Sequence, residues 1–252
     1  MKIAIITGAS SGMGREFARQ IEHLYKELDE IWVVARRRER LEQLQSLLTT
    51  DVRIFEGDLL KDEIYKILSE ALQKDNPNIR MLVNAAGFGK VGKIKDITCE
   101  EQMDMISLNC ISLTRISKLC IPYMTKGSRI VNLASASAFC PQPSFGVYAA
   151  TKSYVLSFSR SLRAELEDEG ILVTAVCPGP VATEFFNVAG KKEKNAAKEA
   201  VMAKPAAVIK RALLDARDGV EVSVYGIPMK LCRVATKLMP HSFILKVMKA
   251  FW

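Results

Sequence analysis

Histidine and paired cysteine motifs are scarce in this chain, and their scarcity excludes several classes of function. Only two histidines, His23 and His241, occur in 252 residues, and the six cysteines show no C-x-x-C spacing. This composition argues against a zinc site, a disulfide framework and nucleophilic catalysis by a Ser-His-Asp or Cys-His arrangement. We therefore expect no metal site, and we expect cysteines that stay reduced.

Long apolar runs are also missing. No stretch reaches the roughly 18 consecutive apolar residues of a membrane-spanning helix. The short apolar run at the N-terminus is interrupted by Thr7 and Gly8 before it attains the length of a signal-peptide core. We interpret this run as a β-strand, and we expect a cytoplasmic protein.

Acidic residues are absent from the end of the chain. The net charge is +8, and no Asp or Glu follows Glu221. A basic balance suits nucleic acid, an anionic membrane surface or a phosphate-rich cofactor. No nucleic-acid-binding motif accompanies the charge, so we expect no nucleic acid partner.

The C-terminal extension, residues 228–252, mixes cations with apolar residues, and Pro240 is expected to divide it into two helical pieces. One interpretation is a basic amphipathic segment at a membrane surface. The other is packing over a binding cleft or across a subunit interface, because lysine stems often cover apolar surface in soluble proteins. Packing is the preferred interpretation.

Short apolar runs alternate with longer amphipathic ones up to about residue 225. The strand-like runs are KIAIIT, IWVVA, VRIFEG, MLVNAA, RIVNLA, LVTAVC and VEVSVY. Helical patterns lie near residues 13–27, 37–49, 60–74, 99–125, 148–169 and 204–217. This alternation predicts a single α/β domain over residues 1–252, with a Rossmann-like, doubly wound parallel sheet of about seven strands and helices on both faces. Ligand-binding residues should follow the carboxyl ends of the strands.

A glycine-rich segment, TGASSGMG, follows the first strand and opens the first helix. Glycine permits a tight turn and lets backbone amides approach a pyrophosphate at a helix N-terminus. The alternative is a turn that only packs the strand against the helix. The candidate cofactor contacts in this segment are Gly8, Ser10, Ser11, Gly12, Met13 and Gly14.

The end of the second strand predicts the cofactor. NAD-binding sites usually have an acidic residue there, but Ala35 occupies that position and Arg36 and Arg37 follow. Guanidinium groups suit a 2′-phosphate, which NAD lacks. We therefore predict NADP(H). The alternative interpretation of the two arginines is that they belong to a solvated first turn of the next helix. Further candidate contacts after the third and fourth strands are Asp58, Leu59, Asn84, Ala85 and Gly87.

Tyr148 and Lys152 are four residues apart in a helical pattern, and Ser135 precedes Tyr148 by thirteen residues. This spacing puts the phenol and the ammonium on one helix face. At ~4 Å and an effective dielectric of ~20 their attraction is about 4 kcal/mol, which would lower the pKa of Tyr148 by roughly two to three units. The spacing alone is common, and a solvated helix face is its usual meaning.

Together these motifs resemble the short-chain dehydrogenase/reductase family in its single-domain, NADP-preferring form, over about residues 1–225. The resemblance implies that Tyr148 is the catalytic acid or base and that Lys152 lowers its pKa and binds the nicotinamide ribose. It also implies that Ser135 orients the substrate oxygen, with Ser137 as the fallback, and that Asn109 holds a water in a proton relay. Pro178, Gly179, Val181 and Thr183 would hold the carboxamide, with Tyr148 and Lys152 counted among the cofactor contacts.

The same resemblance implies a carbonyl/alcohol oxidoreductase that forms a homodimer or homotetramer. Residues 184–203 would be a lid over the substrate. An apolar pocket is expected from residue types, and it favours a bulky lipophilic substrate such as a hydroxysteroid or ketosteroid. The expected lining is Phe139, Cys140, Pro141, Phe145, Phe185, Phe186 and Val188. Core packing of a short helix is an equal alternative for Phe185, Phe186 and Val188. The competing hypothesis is a non-catalytic NADP(H) sensor on the same fold.

Overall fold

The computed structural model describes residues 1–185, 189–190 and 202–250, with side chains up to residue 248. Its strands are β1 (Lys2–Thr7), β2 (Glu30–Ala35), β3 (Asp51–Glu56), β4 (Asn78–Asn84), β5 (Arg129–Leu133), β6 (Leu172–Val176) and β7 (Val222–Ser223). They form one parallel sheet in the order β3-β2-β1-β4-β5-β6-β7. The prediction of a doubly wound sheet of about seven strands is confirmed.

Helices connect the strands on both sides of the sheet. They are α1 (Gly12–Leu24), α2 (Arg38–Gln45), α3 (Asp62–Asp75), α4 (Cys99–Ile106), α5 (Ser112–Cys120), α6 (Gly146–Glu165), α7 (Pro205–Arg217), α8 (Ile227–Leu238) and α9 (His241–Ala250). A π-helix (Ser107–Ile111) joins α4 to α5, and 3₁₀ turns cover Ile121–Tyr123 and Ala136–Phe139. The expected break at Pro240 lies between α8 and α9.

Alternate residues of each strand pack on opposite faces, which explains why the strand sequences are apolar throughout. In β1, Ala4 and Ile6 belong to the core cluster that contains residues of α1 and α7. Ile3 and Ile5 belong to the cluster that contains residues of α3 and α5. The strand is therefore buried on both sides.

The order of strands reverses between β1 and β4, where the chain crosses from one half of the sheet to the other. In open parallel sheets this switch point is the place where ligands bind beyond the strand carboxyl ends. The segments that follow β1 and β4 carry the glycine-rich turn and the Asn-Ala-Ala-Gly motif. The fold thus brings the two most distinctive loops of the sequence together.

Candidate active site

A cavity of about 450 Å³ lies at the switch point of the sheet. Its walls come from the segments that follow β1, β2, β3 and β4, together with the segment after β6. The predicted cofactor residues that line it are Gly8, Ser10, Ser11, Gly12, Met13, Gly14, Arg36, Arg37, Asp58, Leu59, Ala85, Gly87 and Thr183. The sequence motifs therefore converge on one cavity.

The glycines of the first turn are required by close backbone contacts. A Cβ atom on Gly14 would lie 2.4 Å from the carbonyl oxygen of Gly8, and one on Gly8 would lie 2.8 Å from Cα of Ala86. Gly8 and Gly12 also have positive φ angles, 69° and 53°, which L side chains rarely adopt. The turn holds the start of α1 against the loop after β4, and α1 has no acidic residue in its first turn. The first residues of α1 line the cavity, so the positive end of the helix dipole lies at its wall.

A group of cations and a hydroxyl lies at the end of the cavity beside β2. Arg37 donates to Ser10 Oγ from Nε at 3.3 Å and from Nη2 at 3.1 Å. Arg37 Nη1 lies 3.2 Å from one carboxylate oxygen of Glu184, and Arg40 Nη1 lies 2.6 Å from the other. The hydrogen bond from Arg40 is the main cause of the lowered pKa of Glu184, burial opposes it, and the hydrogen bond from Arg37 adds to the lowering. We call Ser10, Arg37 and Arg40 the anion subsite.

Arg36 is placed differently from Arg37. Its side chain is 70% exposed, and its Nη1 lies 3.7 Å from Asp58 Oδ2. The other oxygen of Asp58 accepts a hydrogen bond of 3.0 Å from the backbone N–H of Leu60. The structure therefore groups Arg36 with Asp58 and leaves the anion subsite to Arg37 and Arg40.

Tyr148 and Lys152 lie one turn apart on α6 and are both buried. The Tyr148 ring stacks on Phe145 with centroids 4.3 Å apart and tilts against Phe185 at 5.4 Å. Lys152 Nζ donates to the Leu133 carbonyl at 2.7 Å and lies 5.7 Å from the Tyr148 ring centroid. Neither side chain lines the cavity itself, although both were predicted cofactor contacts. They lie directly behind its wall, because a Cβ atom on Gly87 would lie 3.5 Å from Lys152 Nζ and Phe185 packs on Tyr148.

Burial, rather than the charge of Lys152, dominates the titration of Tyr148. Desolvation raises the pKa of Tyr148 to about 12, and the hydrogen bond with the Ser135 side chain opposes this only in part. Desolvation likewise lowers the pKa of Lys152 to about 8. The direction differs from the sequence-based expectation because both side chains are removed from water, which disfavours the tyrosinate and the ammonium alike.

Ser135 lies next to the phenol, as its spacing predicts. It precedes the 3₁₀ turn Ala136–Phe139, and its Oγ accepts a hydrogen bond of 3.1 Å from the backbone N–H of Ser137. That bond uses an acceptor site and leaves the Ser135 O–H as a donor. Ser137 therefore positions Ser135 through its backbone, whereas the hydroxyl of Ser135 is the one beside Tyr148.

Asn109 lies in the π-helix and joins two parts of the site. Its Oδ1 accepts from the backbone N–H of Phe88 at 3.0 Å, and its Nδ2 donates to the Phe88 carbonyl at 2.9 Å and to Thr151 Oγ1 at 3.0 Å. The side chain thus fixes the loop after β4 against α6, one residue before Lys152.

Asn84 lies behind the cavity. Its Nδ2 donates to Ser117 Oγ at 3.1 Å and to Asn132 Oδ1 at 2.9 Å, and Asn132 continues the network to Ser159 Oγ at 3.0 Å. Asn84 is 3% exposed and does not line the cavity. Its buried amide holds the ends of β4 and β5 together.

The segment after β6 reaches the cavity through Thr183. A Cβ atom on Gly12 would lie 3.5 Å from Thr183 Cβ, whereas one on Gly179 would lie 2.6 Å from Sδ of Met229 on α8. Pro178, Gly179 and Val181 do not line the cavity. Val181 pairs with Ala203 in a parallel bridge, which closes the base of the predicted lid.

The predicted apolar lining is only partly described. Phe145 and Phe185 pack on Tyr148, Phe139 packs on a core cluster, Cys140 is buried and Pro141 is exposed. Phe186 and Val188 lie outside the described residues, as does most of the predicted lid 184–203.

Sequence reasoning missed Arg40 and the position of Glu184. Arg40 follows Arg37 by three residues in the first turn of α2, a spacing that puts both side chains on one face and was a usable signal. No local pattern placed Glu184 beside them, because 144 residues separate it from Arg40.

Comparisons with known proteins agree with this geometry. A family model described as short chain dehydrogenase matches residues 2–194. Sulfoacetaldehyde reductase 2 of Chromohalobacter salexigens is 32% identical over 192 residues, which cover 73% of this chain and 74% of that protein. 17-beta-hydroxysteroid dehydrogenase type 3 of Danio rerio is 30% identical over 194 residues, covering 72% of this chain and 61% of that protein.

A solved structure gives the same result at the level of the fold. The short-chain dehydrogenase from Sphingobium yanoikuyae in complex with NADPH superposes with a TM-score of 0.78, at 25% identity over 94% of this chain and 93% of that one. The family model alone covers well over half of the sequence. The chain therefore belongs to the short-chain dehydrogenase/reductase family of oxidoreductases.

Proposed function

We propose that this chain is an NADP(H)-dependent oxidoreductase that interconverts a carbonyl and a secondary alcohol. One observation carries the proposal: the buried group of Ser135, Tyr148 and Lys152 packs against Gly87 and Phe185, which line the same cavity as Ser10 and Arg37 of the anion subsite. A dinucleotide that spans this cavity would present one end to the phenol and the other to the arginines.

The residues of the cavity fit a dinucleotide with a 2′-phosphate. Gly8 and Gly14 leave room for the backbone to approach a pyrophosphate, and the start of α1 supplies the N–H groups. Arg37 and Arg40 already hold a carboxylate between them. A phosphate monoester at this place would present more oxygen atoms and more negative charge than a carboxylate.

The nicotinamide, when bound, supplies or accepts the hydride. Tyr148 would give its phenolic proton to the substrate oxygen during reduction, because its raised pKa keeps it protonated at neutral pH. Ser135 would donate its hydroxyl hydrogen to the same oxygen and stabilise the developing charge. Lys152 would hold the ribose hydroxyls and replenish the proton of Tyr148. Asn109 would act as a positioning residue for Lys152.

The preferred substrate class is a bulky lipophilic ketone or secondary alcohol, such as a steroid. The rings of Phe145 and Phe185 flank Tyr148 and give this end of the site an apolar character. The relatedness to a hydroxysteroid dehydrogenase supports this class. The chain is also related to a sulfoacetaldehyde reductase, so small anionic aldehydes must be tested beside the steroids as the alternative substrate class.

A non-catalytic NADP(H) sensor is the second candidate function. Such a sensor would need the anion subsite to bind NADP(H), but it would not need Ser135, Tyr148 and Lys152. Retention of Ser135, Tyr148 and Lys152 together, next to residues that line the cavity, favours the enzyme.

The proposal is tested by NADPH oxidation, followed by absorbance, with steroid ketones, diketones, aromatic aldehydes and sulfoacetaldehyde. Tyr148→Phe removes the proton donor and keeps the ring that packs on Phe145, so turnover should fall by at least ~10²-fold while NADPH binding persists. Tyr154→Phe, on the exposed side of α6, is the matched control and should retain full turnover. NADPH binding without turnover of any of these substrates would favour the sensor. Equal efficiency with NADH would overturn the cofactor assignment.

A further inference from the structure

Each of the two C-terminal helices exposes large apolar side chains at helical spacing. On α8 the exposed fractions of Leu231 and Leu238 are 64% and 79%, and Ile227 and Val234 are also more than half exposed. The spacing 227, 231, 234, 238 repeats at helical intervals, so these four side chains form one stripe. On α9, Phe243 and Val247 are exposed in the same i, i+4 relation.

The helices are nevertheless anchored to the protein by their other faces. Met229 packs against a core cluster and lies directly over Gly179. Ile244 is 7% exposed and anchors α9. The apolar stripe thus points away from a face that is held in place. The preferred interpretation of this segment from sequence was packing over a binding cleft or across a subunit interface. Packing over a cleft accounts for the anchored face and not for the stripe, which leaves a subunit contact or another surface as its partner.

Cations border the stripe in a repeated register. Lys230, Lys237 and Lys246 each come three residues after one exposed apolar residue and directly before the next. The three repeats are IPMKL, VATKL and FILKV. All three lysines are exposed. Each repeat therefore presents two apolar side chains with one ammonium beside them on the same side of the helix.

The charges determine which partner fits this face. No acidic residue follows Glu221, so neither helix carries a negative side chain. In a two-fold symmetric contact between two copies, the same patch faces itself, and the lysines would meet lysines. A surface that accepts apolar side chains and offers negative charge beside them suits the stripe. An anionic lipid interface has both properties.

We propose that α8 and α9 dock this protein on the surface of membranes that contain anionic lipids. The apolar stripe inserts among the acyl chains near the headgroups, and Lys230, Lys237 and Lys246 contact the lipid phosphates and carboxylates. Insertion is peripheral, since no helix within 1–185, 189–190 and 202–250 is long and apolar enough to cross a bilayer. The proposal is independent of cofactor and substrate.

Flotation of the full-length protein with vesicles tests the proposal. One set is phosphatidylcholine alone, and the other contains about 30 mol% phosphatidylserine. We expect binding to the anionic vesicles, with a loss of about fivefold in partitioning for each of Lys230→Gln and Lys237→Gln, and weaker binding at high salt. Leu231→Ser with Leu238→Ser should reduce binding by more than tenfold.

The matched control lies on α3, where Ile67 is 48% exposed beside an exposed lysine, Lys66. Ile67→Ser with Lys66→Gln should leave flotation unchanged. Failure of the wild-type protein to float with anionic vesicles overturns the proposal, as does equal binding to neutral vesicles. A change in molar mass of the Leu231→Ser, Leu238→Ser variant by light scattering, without wild-type flotation, would assign the stripe to a contact between copies instead.

Discussion

Replacing Lys152 with methionine should stabilise the protein at neutral pH while removing its activity. Methionine has a similar length and no charge, and Lys152 is 5% exposed. Burial lowers the pKa of Lys152 from 10.5 to about 8. The protonated side chain therefore lowers the free energy of unfolding. The protein keeps this destabilising lysine because the chemistry of the site needs it.

The magnitude follows from the two pKa values. The drop of the Lys152 pKa from 10.5 to about 8 corresponds to a loss of about 3 kcal/mol in unfolding free energy below pH 8, where the lysine is protonated in both the folded and the unfolded protein. The hydrogen bond from Nζ to the Leu133 carbonyl is lost in the variant, which costs about 1 kcal/mol. At pH 7 the variant should be about 2 kcal/mol more stable, or about 4 to 8 °C in Tm for a chain of this size.

The stability advantage of Lys152→Met should decrease as the pH rises. Between pH 8 and pH 10.5 the unfolded chain binds more protons at this lysine than the native chain, so wild-type stability rises with pH relative to the variant. The advantage of Lys152→Met should therefore shrink to near zero by about pH 9.5.

Thermal melts followed by circular dichroism at both pH values measure this difference. Lys118→Met, at an exposed position on α5, controls for the loss of one positive charge. A variant that melts below the wild type at pH 7, or a difference that does not change with pH, would refute the assignment of Lys152 as a desolvated cation.

Three further predictions concern the cavity. Glu184→Gln removes the carboxylate that competes for Arg37 and Arg40, so calorimetry should show NADPH binding about threefold tighter and NADH binding unchanged; tighter binding of both would contradict the competition. Arg40→Gln should weaken NADPH binding about tenfold and spare NADH, and an equal loss for both would remove Arg40 from the anion subsite. Gly14→Ala should lower the unfolding free energy by about 2 kcal/mol or more, because its Cβ would meet the Gly8 carbonyl oxygen at 2.4 Å; a wild-type urea midpoint would contradict the contact.

The parts of the site that follow local rules were predictable from the sequence. The glycine-rich turn after β1 and the arginines after β2 lie in the cavity, because the end of a strand and the start of a helix fix their place. The pairing of Glu184 with Arg40 was not predictable, since it depends on how the segment after β6 crosses the sheet. The direction of the Tyr148 pKa was missed for a related reason: helical spacing gives the distance to Lys152 but not the water excluded by Phe145 and Phe185.

Asn109 shows how a backbone irregularity decides what a side chain does. SLNCI is an ordinary helical sequence, yet residues Ser107–Ile111 form a π-helix, and the wider turn shifts the register of each following side chain relative to a regular helix. In that register both amide hydrogens of Asn109 are used, on Phe88 and Thr151, and Oδ1 accepts from Phe88. A side chain engaged in this way can bind a water only through the remaining lone pair of Oδ1. Its three bonds hold the loop after β4 at a fixed distance from Lys152, so the geometry gives the Asn109 side chain a positioning role, and the water-holding role that the family resemblance implies stays a prediction.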